Sequence, residues 1–375
     1  MAGIYIHIPF CRKACTYCNF HFSTTLKNKD AVINAIIKEI NDYVIDTSTT
    51  EKIETIYFGG GTPSLLSVDE LNKILTALKK FSISSDAEIT LEANPDDINE
   101  TSLNNWVSLG INRLSVGIQT FSDEELKWMN RAHDKEDALR CLQLISGSPI
   151  KNYSTDLIYG SPFLSDEELV NNINLLVSKK IPHISCYALT VETKTALHYS
   201  ISKNLSPDVD PEKQSRQFLI VMDLLAKAGY IHYEISNFSL PDMQSRHNKA
   251  YWEGKAYIGF GPAAHSFNGI DTRSWNVANN IEYTRLIESN ANAQTKEVLT
   301  KVQQLNELIM ISLRTDEGIN LKKISINFGN DKSEEIIRIS AKHILRGHLK
   351  NEDGFIKLTN QGNLFADGIA ADMFF

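Results

Sequence analysis

Short apolar runs alternate with longer segments of helical periodicity along the first part of the chain. Runs rich in β-branched and aromatic residues predict strands at 3–8, 53–58, 88–93, 113–118, 153–159 and 183–189. Apolar residues at helical spacing predict helices at 30–45, 67–81, 99–108, 122–129, 135–146 and 165–178. Ser67 and Glu70 have the spacing of a capping box at the start of the second helix.

Six repeats of strand and helix predict an α/β fold with parallel strands joined by right-handed crossovers. A curved sheet, closed partly or fully into a barrel, fits this order better than a meander does. In such folds the chemistry lies in the loops that follow the carboxyl ends of the strands. We therefore expect functional residues directly after each predicted strand.

The remainder of the chain changes character twice. After a predicted helix at 211–229 and a strand at 230–236, residues 241–280 show little periodicity, and a stretch of that length is usually functional. Helices are then predicted at 297–313, 320–328, 332–347 and 360–370, with a hairpin at 349–359 that turns at Asp353-Gly354. We predict a barrel domain over 1–240, a loop-rich segment over 241–290, and a small winged-helix-like domain over 291–375.

Charge and composition exclude several classes of protein. The 22% of charged and 42% of hydrophobic residues are ordinary for a folded globular chain. The net charge of −8 disfavours nucleic acid as a partner. No apolar run is long enough to cross a membrane, and the first residues lack the pattern of a signal peptide, so we expect a cytoplasmic protein.

Three of the five cysteines lie within eight residues, as Cys11-x3-Cys15-x2-Cys18 directly after the first predicted strand. Thiolates are soft ligands that suit zinc or an iron–sulfur cluster. A zinc site usually joins two ligand pairs that are distant in sequence, and His7 or His21 would have to serve as the fourth ligand here. The spacing favours the iron–sulfur cluster and leaves zinc as the alternative.

The cysteine spacing, together with Tyr17 before the last cysteine and the glycine-rich loop at 59–63, resembles the radical S-adenosylmethionine (SAM) superfamily. This resemblance implies a partial (β/α)6 barrel and a [4Fe–4S] cluster whose three irons are bound by Cys11, Cys15 and Cys18. The fourth iron would be open to the amino and carboxylate groups of SAM. The glycine loop would approach the amino group.

The motifs YIHIPFC, FGGGTPS, LEANP, RLSVGIQTF, DLIYGSP and YALTVE narrow the resemblance to the oxygen-independent coproporphyrinogen oxidase-like group. Residues at the positions of that group's SAM contacts are Tyr5, Tyr17, Gly60, Gly61, Thr62, Glu92, Gln119, Arg131, Asp156, Ala188 and His265. Taken singly, Gln119 and Asp156 could be no more than polar groups at strand ends, and Arg131 a surface residue. Their order at successive strand ends favours a common site.

Two departures separate the chain from the oxidase itself. Phe20 stands where the oxidase has a fourth cysteine, and only ten residues precede Cys11 where the oxidase has a longer extension. The motif His247-Asn248-x2-Tyr251-Trp252 instead resembles the heme-chaperone branch of the group. A histidine can ligate heme iron, and Tyr251 and Trp252 offer flat apolar surface to a macrocycle. The alternative is a loop whose aromatic residues simply pack against the barrel.

The resemblance thus implies a chaperone with a [4Fe–4S] cluster, SAM and heme as ligands. It also implies an unidentified heme-acceptor protein as partner, with its association with a membrane left open. A coproporphyrinogen dehydrogenase, or another radical SAM oxidoreductase, is the alternative from a different functional class. A zinc-containing binding protein without redox chemistry is a third.

Overall fold

A computed structural model describes residues 2–45 and 52–375 and contains a mixed α/β fold. Its core is a row of six neighbouring parallel strands in chain order: β1 Ala2–Ile8, β2 Ile53–Gly60, β3 Ile83–Ala93, β4 Arg113–Gln119, β5 Asn152–Tyr159 and β6 His183–Ala188. The helices between them are α1 Lys29–Asp42, α2 Val68–Leu78, α3 Glu100–Ser108, α4 Asp123–Trp128, α5 Lys135–Gly147 and α6 Asp166–Ser178. The predicted alternation of strand and helix is confirmed, and element ends differ by a few residues.

Local signals in the sequence account for several of these boundaries. The predicted capping box is present, since Ser67 accepts a hydrogen bond from the backbone N–H of Glu70 while the Glu70 carboxylate accepts one from that of Ser67. Ser165 and Glu168 form the same arrangement at the start of α6. Each box satisfies backbone donors that would otherwise lack partners in the first helical turn.

The two faces of the curved parallel sheet differ in chemistry. On the face that packs against the helices, Ile4, Ile6 and Ile8 are completely buried in one large apolar cluster. The opposite face is polar, and the paired residues Tyr57, Thr90 and Arg113 lie side by side on neighbouring strands there. Because alternate residues of a strand point to opposite faces, an apolar outer face is compatible with a polar lumen.

Further strands extend the sheet on both sides. They are β7 Ile231–Glu234, β8 Asn237–Ser239, β9 Tyr257–Phe260, β10 His265–Phe267, β11 Thr272–Asn276 and β12 Gln294–Val298. Strand β9 pairs in parallel with β1, β10 to β12 continue antiparallel, and β8 and β7 pair antiparallel beyond β6. The sheet therefore has twelve strands in the described part of the chain, with the order β12-β11-β10-β9-β1-β2-β3-β4-β5-β6-β8-β7.

The segment over 241–290, predicted to be rich in loops, contains much of this extension. The remaining helices of the larger part are α7 Ala196–Ser202, α8 Pro211–Lys227, α9 Arg246–Trp252 and α10 Asn280–Glu288. Its strands and α9 are three to seven residues long, so each spans too few positions to show a period in the sequence. The HNxxYW motif lies on α9 and not on a loop.

The C-terminal residues 301–375 form a smaller module with its own apolar cluster around Ile309, Ile324 and Ile356. Its elements are α11 Lys301–Leu313, β13 Ile319–Asn320, α12 Leu321–Phe328, α13 Asn330–Leu345, β14 Leu349–Glu352, β15 Phe355–Leu358 and α14 Ala366–Asp372. The predicted hairpin is present, with positive φ at Asp353 and Gly354, as its tight turn requires. Helices followed by a hairpin match the predicted winged-helix-like architecture; the domain boundaries at 240 and 290 stay a prediction.

Among residues 2–45 and 52–375, no helix has both the length and the apolar character that crossing a membrane requires.

Candidate functional site

The cysteine loop begins three residues after β1, at the carboxyl end of the parallel strands. The backbone N–H of Cys11 donates to the carbonyl of Ser23 at 3.0 Å, and that of Cys18 donates to the carbonyl of Cys15 at 3.3 Å. All three thiols are free and half-buried. The loop therefore presents three sulfur atoms without disulfide bonds at the edge of the sheet where chemistry was expected.

Within residues 2–45 and 52–375, no three His, Cys, Asp or Glu side chains converge on the position of a single metal ion. A cubane cluster binds each of its three thiolates through a different iron, so it does not require such convergence. The donor set of three soft thiols in one loop fits an iron–sulfur cluster better than zinc.

Arg131 connects the cysteine loop with two neighbouring strands. Its guanidinium donates to Cys15 Sγ at 3.3 Å, to Asn94 Oδ1 at 2.8 Å and to the carbonyl oxygen of Gly117 at 2.7 Å. These contacts exclude the alternative that Arg131 is only a surface residue without a role in the site. A cation at this position offsets the negative charge that thiolates bring when they bind metal.

Burial changes the acidity of the thiols in the metal-free protein. Burial, partly countered by a hydrogen bond from Thr62, raises the pKa of the Cys11 thiol to about 11. Burial also raises the pKa of Cys18. At neutral pH these thiols are protonated without metal, so cluster assembly would release protons.

The glycine loop packs directly on the start of the cysteine loop. Gly60 has φ of +104°, a conformation that glycine adopts without strain. A Cβ at Gly61 would lie 2.7 Å from the carbonyl oxygen of Phe10 and 2.8 Å from that of Ile8. The backbone N–H of Thr62 donates to the Phe10 carbonyl at 2.7 Å. Only glycine allows this approach at position 61, so the loop is held against the segment that leads to Cys11.

Two carboxyl groups face the lumen below the glycine loop. Burial is the main cause that raises the pKa of Glu92 to about 7, and the neighbouring Asp156 adds to the rise. Burial likewise raises the pKa of Asp156 to about 6. Glu92 accepts a hydrogen bond of 2.8 Å from the hydroxyl of Tyr57. Both carboxyls therefore titrate close to neutral pH, where gain or loss of a cationic neighbour would change their ionisation.

Other predicted contacts surround this region. The ring of Tyr5 stacks on Tyr57 with centroids 6.1 Å apart, and its hydroxyl lies 3.3 Å from His7 Nδ1. Tyr17 is packed beside Cys15, and burial raises its pKa above the ordinary range. The structure thus brings both predicted tyrosines to the carboxyl end of the barrel.

The last predicted contacts lie at strand ends. Gln119 ends β4 with a φ of 70°, unusual for a residue other than glycine, and Ala188 ends β6. His265, on β10, is exposed and stacks on Trp275 at 5.8 Å. It is close enough to His7 to contribute to the lowering of the His7 pKa to about 4, of which burial is the chief cause. His265 therefore lies on the side of the barrel that carries the cysteine loop.

The HNxxYW helix lies at the other end of the barrel. His247 Nδ1 is 2.7 Å from Thr55 Oγ1, and Gly3, at the amino end of β1, directly adjoins the His247 ring. His247 Nε2 is 2.9 Å from the hydroxyl of Tyr251. The His247 side chain is buried, and both of its ring nitrogens are occupied by protein partners. Coordination of iron by His247 would therefore require one of these two contacts to break, and the role of His247 in heme binding stays a prediction.

The amino end of α9 is fixed by a buried carboxylate. Glu88 accepts hydrogen bonds of 3.1 Å from the backbone N–H groups of both Arg246 and His247. Arg113, also buried, has its Nε 3.8 Å from Glu88. These contacts hold the first turn of α9 against strand β3, which carries Glu88. They explain why the motif forms a helix that packs against the barrel.

The lumen residues Thr55, Tyr57, Glu88 and Arg113 were not among the site residues predicted from the sequence. A signal was present, because polar residues alternate with apolar ones in TIYF, in EITLEA and in RLSV. In a parallel strand covered on both faces, a near-continuous apolar run is expected. The alternation therefore marks a sheet with one polar face, and it could have identified these positions.

Comparison with known proteins agrees with this architecture. The family model of the radical SAM superfamily matches residues 5–176, which include the cysteine and glycine loops. Escherichia coli coproporphyrinogen III oxidase (HemN), described as a radical SAM enzyme, superposes with a TM-score of 0.85 at 22% identity, covering 100% of this chain and 90% of that one. The fold and the cysteine loop thus define a member of the radical SAM superfamily, and the predicted fold class is confirmed.

Relatives of known name give a narrower assignment. The chain is 32% identical over 374 residues to the heme chaperone HemW of Bacillus subtilis (strain 168), and the match covers 98% of both chains. It is 35% identical over 269 residues to the HemW of Escherichia coli (strain K12), which covers 70% of this chain and 69% of that one. The mitochondrial radical S-adenosyl methionine domain-containing protein 1 of Mus musculus is 32% identical over 330 residues, with 85% of this chain and 74% of that one covered. The chain belongs to the HemW family, as the HNxxYW motif predicted.

Proposed function

We propose that this protein is a cytoplasmic heme chaperone that binds a [4Fe–4S] cluster, SAM and heme, and passes heme to an acceptor protein. The observation that carries the proposal is the 32% identity to a protein named heme chaperone over 98% of both chains. The match spans both the barrel and the C-terminal module. It therefore includes all parts of the chain on which the proposed function depends.

Cys11, Cys15 and Cys18 would hold the cluster, which when bound supplies an open iron to SAM and an electron. Arg131 would offset the charge of the thiolates, since its guanidinium already lies 3.3 Å from Cys15 Sγ. The exposed Phe20 adds no ligand to this loop.

The residues proposed to contact SAM share one end of the barrel or line the lumen next to it. They are Tyr5, Tyr17, Gly60, Gly61, Thr62, Glu92, Gln119, Arg131, Asp156, Ala188 and His265. The glycine loop would let the backbone approach the amino group, and the carboxylates of Glu92 and Asp156 would accept hydrogen bonds from it or from the ribose.

His247, Tyr251 and Trp252 would form the heme element at the opposite end. Because both nitrogens of His247 have protein partners, we propose that His247 positions α9. Trp252, half-buried at the end of the same helix, would provide the contact with the macrocycle.

The test uses full-length protein reconstituted anaerobically with iron and sulfide. We expect a brown protein that binds about one cluster, loses most of its iron in Cys15→Ala, and keeps it in Cys141→Ala, whose thiol is buried in α5. Hemin-loaded protein should transfer heme to an apo-protein with a vacant heme site. A colourless protein that retains zinc would overturn the cluster assignment.

A second assay separates the chaperone from the enzyme. The reconstituted protein is incubated with SAM, a reductant and coproporphyrinogen III, and the porphyrins are analysed chromatographically. We expect no decarboxylated product. Conversion of the substrate would replace the chaperone with a coproporphyrinogen dehydrogenase.

A further inference from the structure

The cysteine loop takes its shape from neighbouring elements as well as from its own residues. Within the loop, the backbone N–H of Cys18 donates to the carbonyl of Cys15 at 3.3 Å. The backbone N–H of Thr16 instead donates to the carbonyl of Met129, directly after α4, at 3.1 Å. The carbonyl of Thr16 accepts a hydrogen bond of 2.7 Å from the backbone N–H of Leu197 on α7. Two helices of the barrel therefore hold the loop from outside.

The turn that joins α4 to α5, residues 128–131, makes most of these contacts. The side-chain amide of Asn130 donates through Nδ2 to the carbonyl of Ala14 at 2.8 Å. The ammonium group of Lys13 donates to the carbonyl of Arg131 at 3.2 Å. Together with the contacts of the next two loop residues, these bonds connect four consecutive residues of the loop to this turn.

Asn130 and Arg131 act on two parts of the same cysteine. The carbonyl that Asn130 binds belongs to the peptide group between Ala14 and Cys15. The guanidinium of Arg131 lies 3.3 Å from the sulfur of Cys15. Neighbouring side chains of the turn thus fix the backbone and the sulfur of the middle cysteine. A set of ligands is effective only when its geometry is held to within about 0.5 Å, so this support matters for metal binding.

The backbone of Asn130 shows that its side chain is not required for the end of the helix. Asn130 has a φ of +57°, in the left-handed region. Its N–H donates to the carbonyl of Lys127 at 3.1 Å, and the N–H of Arg131 donates to that of Leu126 at 2.8 Å. This is the Schellman pattern, in which glycine is the preferred residue at the left-handed position. Asparagine is less favourable there than glycine, but its amide supplies the contact with the cysteine loop.

The turn is itself a fixed support. Met129 is completely buried beneath it. Glu125 of α4 is also buried, and its carboxylate accepts a hydrogen bond of 2.7 Å from the hydroxyl of Thr120, directly after β4. The position of α4 is thereby tied to the carboxyl end of the sheet. A support of this kind preorganises the loop that it contacts.

Resting on the proposed function, we propose that Asn130 is a positioning residue for the iron–sulfur cluster. Its amide fixes the peptide group before Cys15, so that the loop keeps the geometry in which its three thiolates hold iron. Asn130 gives the iron no ligand. Without the amide the loop opens more often and iron leaves the protein faster, while the end of α4 stays intact.

The experiment measures the rate at which anaerobically reconstituted full-length protein loses iron to the chelator bathophenanthroline disulfonate, followed by absorbance. Asn130→Gly removes the amide and keeps the left-handed backbone. It should lose iron about threefold faster than wild type, at the lower end of the range for a hydrogen bond because this bond is exposed. The melting temperature of the metal-free variant should stay within about 2 °C of wild type, since glycine suits the position.

Asn130→Asp keeps the Cβ and the shape of the side chain, but its carboxylate can only accept hydrogen bonds. It should also lose iron faster, and this separates the missing donor from the added backbone freedom of glycine. The reduced cluster should give a broader electron paramagnetic resonance signal in both Asn130 variants than in wild type. A role confined to the end of α4 would leave this signal unchanged.

Asn204→Gly is the matched control. Asn204 has a φ of +54° and ends α7 with the same pattern, in which its N–H and that of Leu205 donate to the carbonyls of Ile201 and Ser200. Its side chain is exposed and, within the described part of the chain, makes no hydrogen bond to the cysteine loop. Iron loss from this variant should match that of wild type.

The failures of the two proposals are distinguishable. If wild-type protein assembles no cluster, the cluster part of the proposed function fails, and the role of Asn130 fails with it. If wild type assembles a cluster and both Asn130 variants lose iron at the wild-type rate, only the role of Asn130 is overturned. It is also overturned if Asn204→Gly loses iron equally fast, or if the metal-free Asn130 variants melt well below wild type.

Discussion

The hydroxyl of Tyr57 donates a hydrogen bond of 2.8 Å to a carboxylate oxygen of Glu92. The ring of the same tyrosine stacks on His247, with centroids 5.0 Å apart. One side chain therefore touches both the carboxyl group beneath the glycine loop and the histidine of the HNxxYW helix. Any shift of α9 that moves His247 would act on Tyr57, and through it on Glu92.

The stability of the cluster-free protein should depend on the ionisation of Glu92. Its pKa is raised from 4.5 to about 7 on folding, so between these values the folded state binds more protons than the unfolded state. The contribution of Glu92 to the free energy of unfolding therefore falls as pH rises through that interval, by about 3 kcal/mol. Glu92→Gln should raise the melting temperature near pH 8 and have little effect near pH 5, as measured by circular dichroism. Glu124→Gln, an exposed residue of α4, should show no such dependence.

Tyr57→Phe should raise the pKa of Glu92 further, because the hydrogen bond it removes favours the ionised carboxylate. If Glu92 binds SAM as an anion, SAM affinity falls as pH drops through the pKa, and the variant should shift that midpoint to higher pH. Calorimetry across a pH series on cluster-loaded protein measures the shift. Tyr283→Phe is a matched control, since it removes a tyrosine–carboxylate bond of 2.6 Å to Glu39 outside the lumen. Identical midpoints in wild type and Tyr57→Phe would remove Glu92 from the SAM site.

Arg131→Ala should weaken SAM binding about ten- to a hundredfold, as loss of a charge-assisted contact does. The structure adds a second expected effect, on iron content, because Arg131 also supports Cys15, Asn94 and the backbone of Gly117. Arg131→Lys restores the positive charge but not the forked geometry of the guanidinium. It should therefore restore only part of the SAM affinity and part of the iron content. Iron analysis and calorimetry check the two effects separately, with the exposed Arg140→Ala as control. Full cluster content and full affinity in Arg131→Ala would contradict both roles.

His247→Ala should lower the free energy of unfolding by about 2–3 kcal/mol. The substitution leaves the hydroxyl groups of Thr55 and Tyr251 without their partner and opens a cavity next to Tyr57. Urea unfolding of the metal-free protein measures the change. His265→Ala removes an exposed imidazole from β10 and should cost less than about 0.5 kcal/mol. Equal stability of the two variants would show that His247 does not hold α9 in place.

The sequence by itself determined the local elements and the class of protein. Strand runs such as IETIYF and the Ser67 capping box depend on residues close together in the chain, and both were found where their patterns lie. The cysteine loop and the glycine loop were also readable, since each is a short motif whose chemistry depends on its own spacing. Their meeting at one end of the sheet followed from the parallel order of the strands.

Only the tertiary structure decided where HNxxYW lies and what its histidine does. The contacts of His247 with Thr55 and Tyr57 join residues about 190 positions apart in the chain, and no local pattern records such a pairing. Strands of three to five residues, such as β9 and β10, are specified by the strands that they pair with and not by their own period.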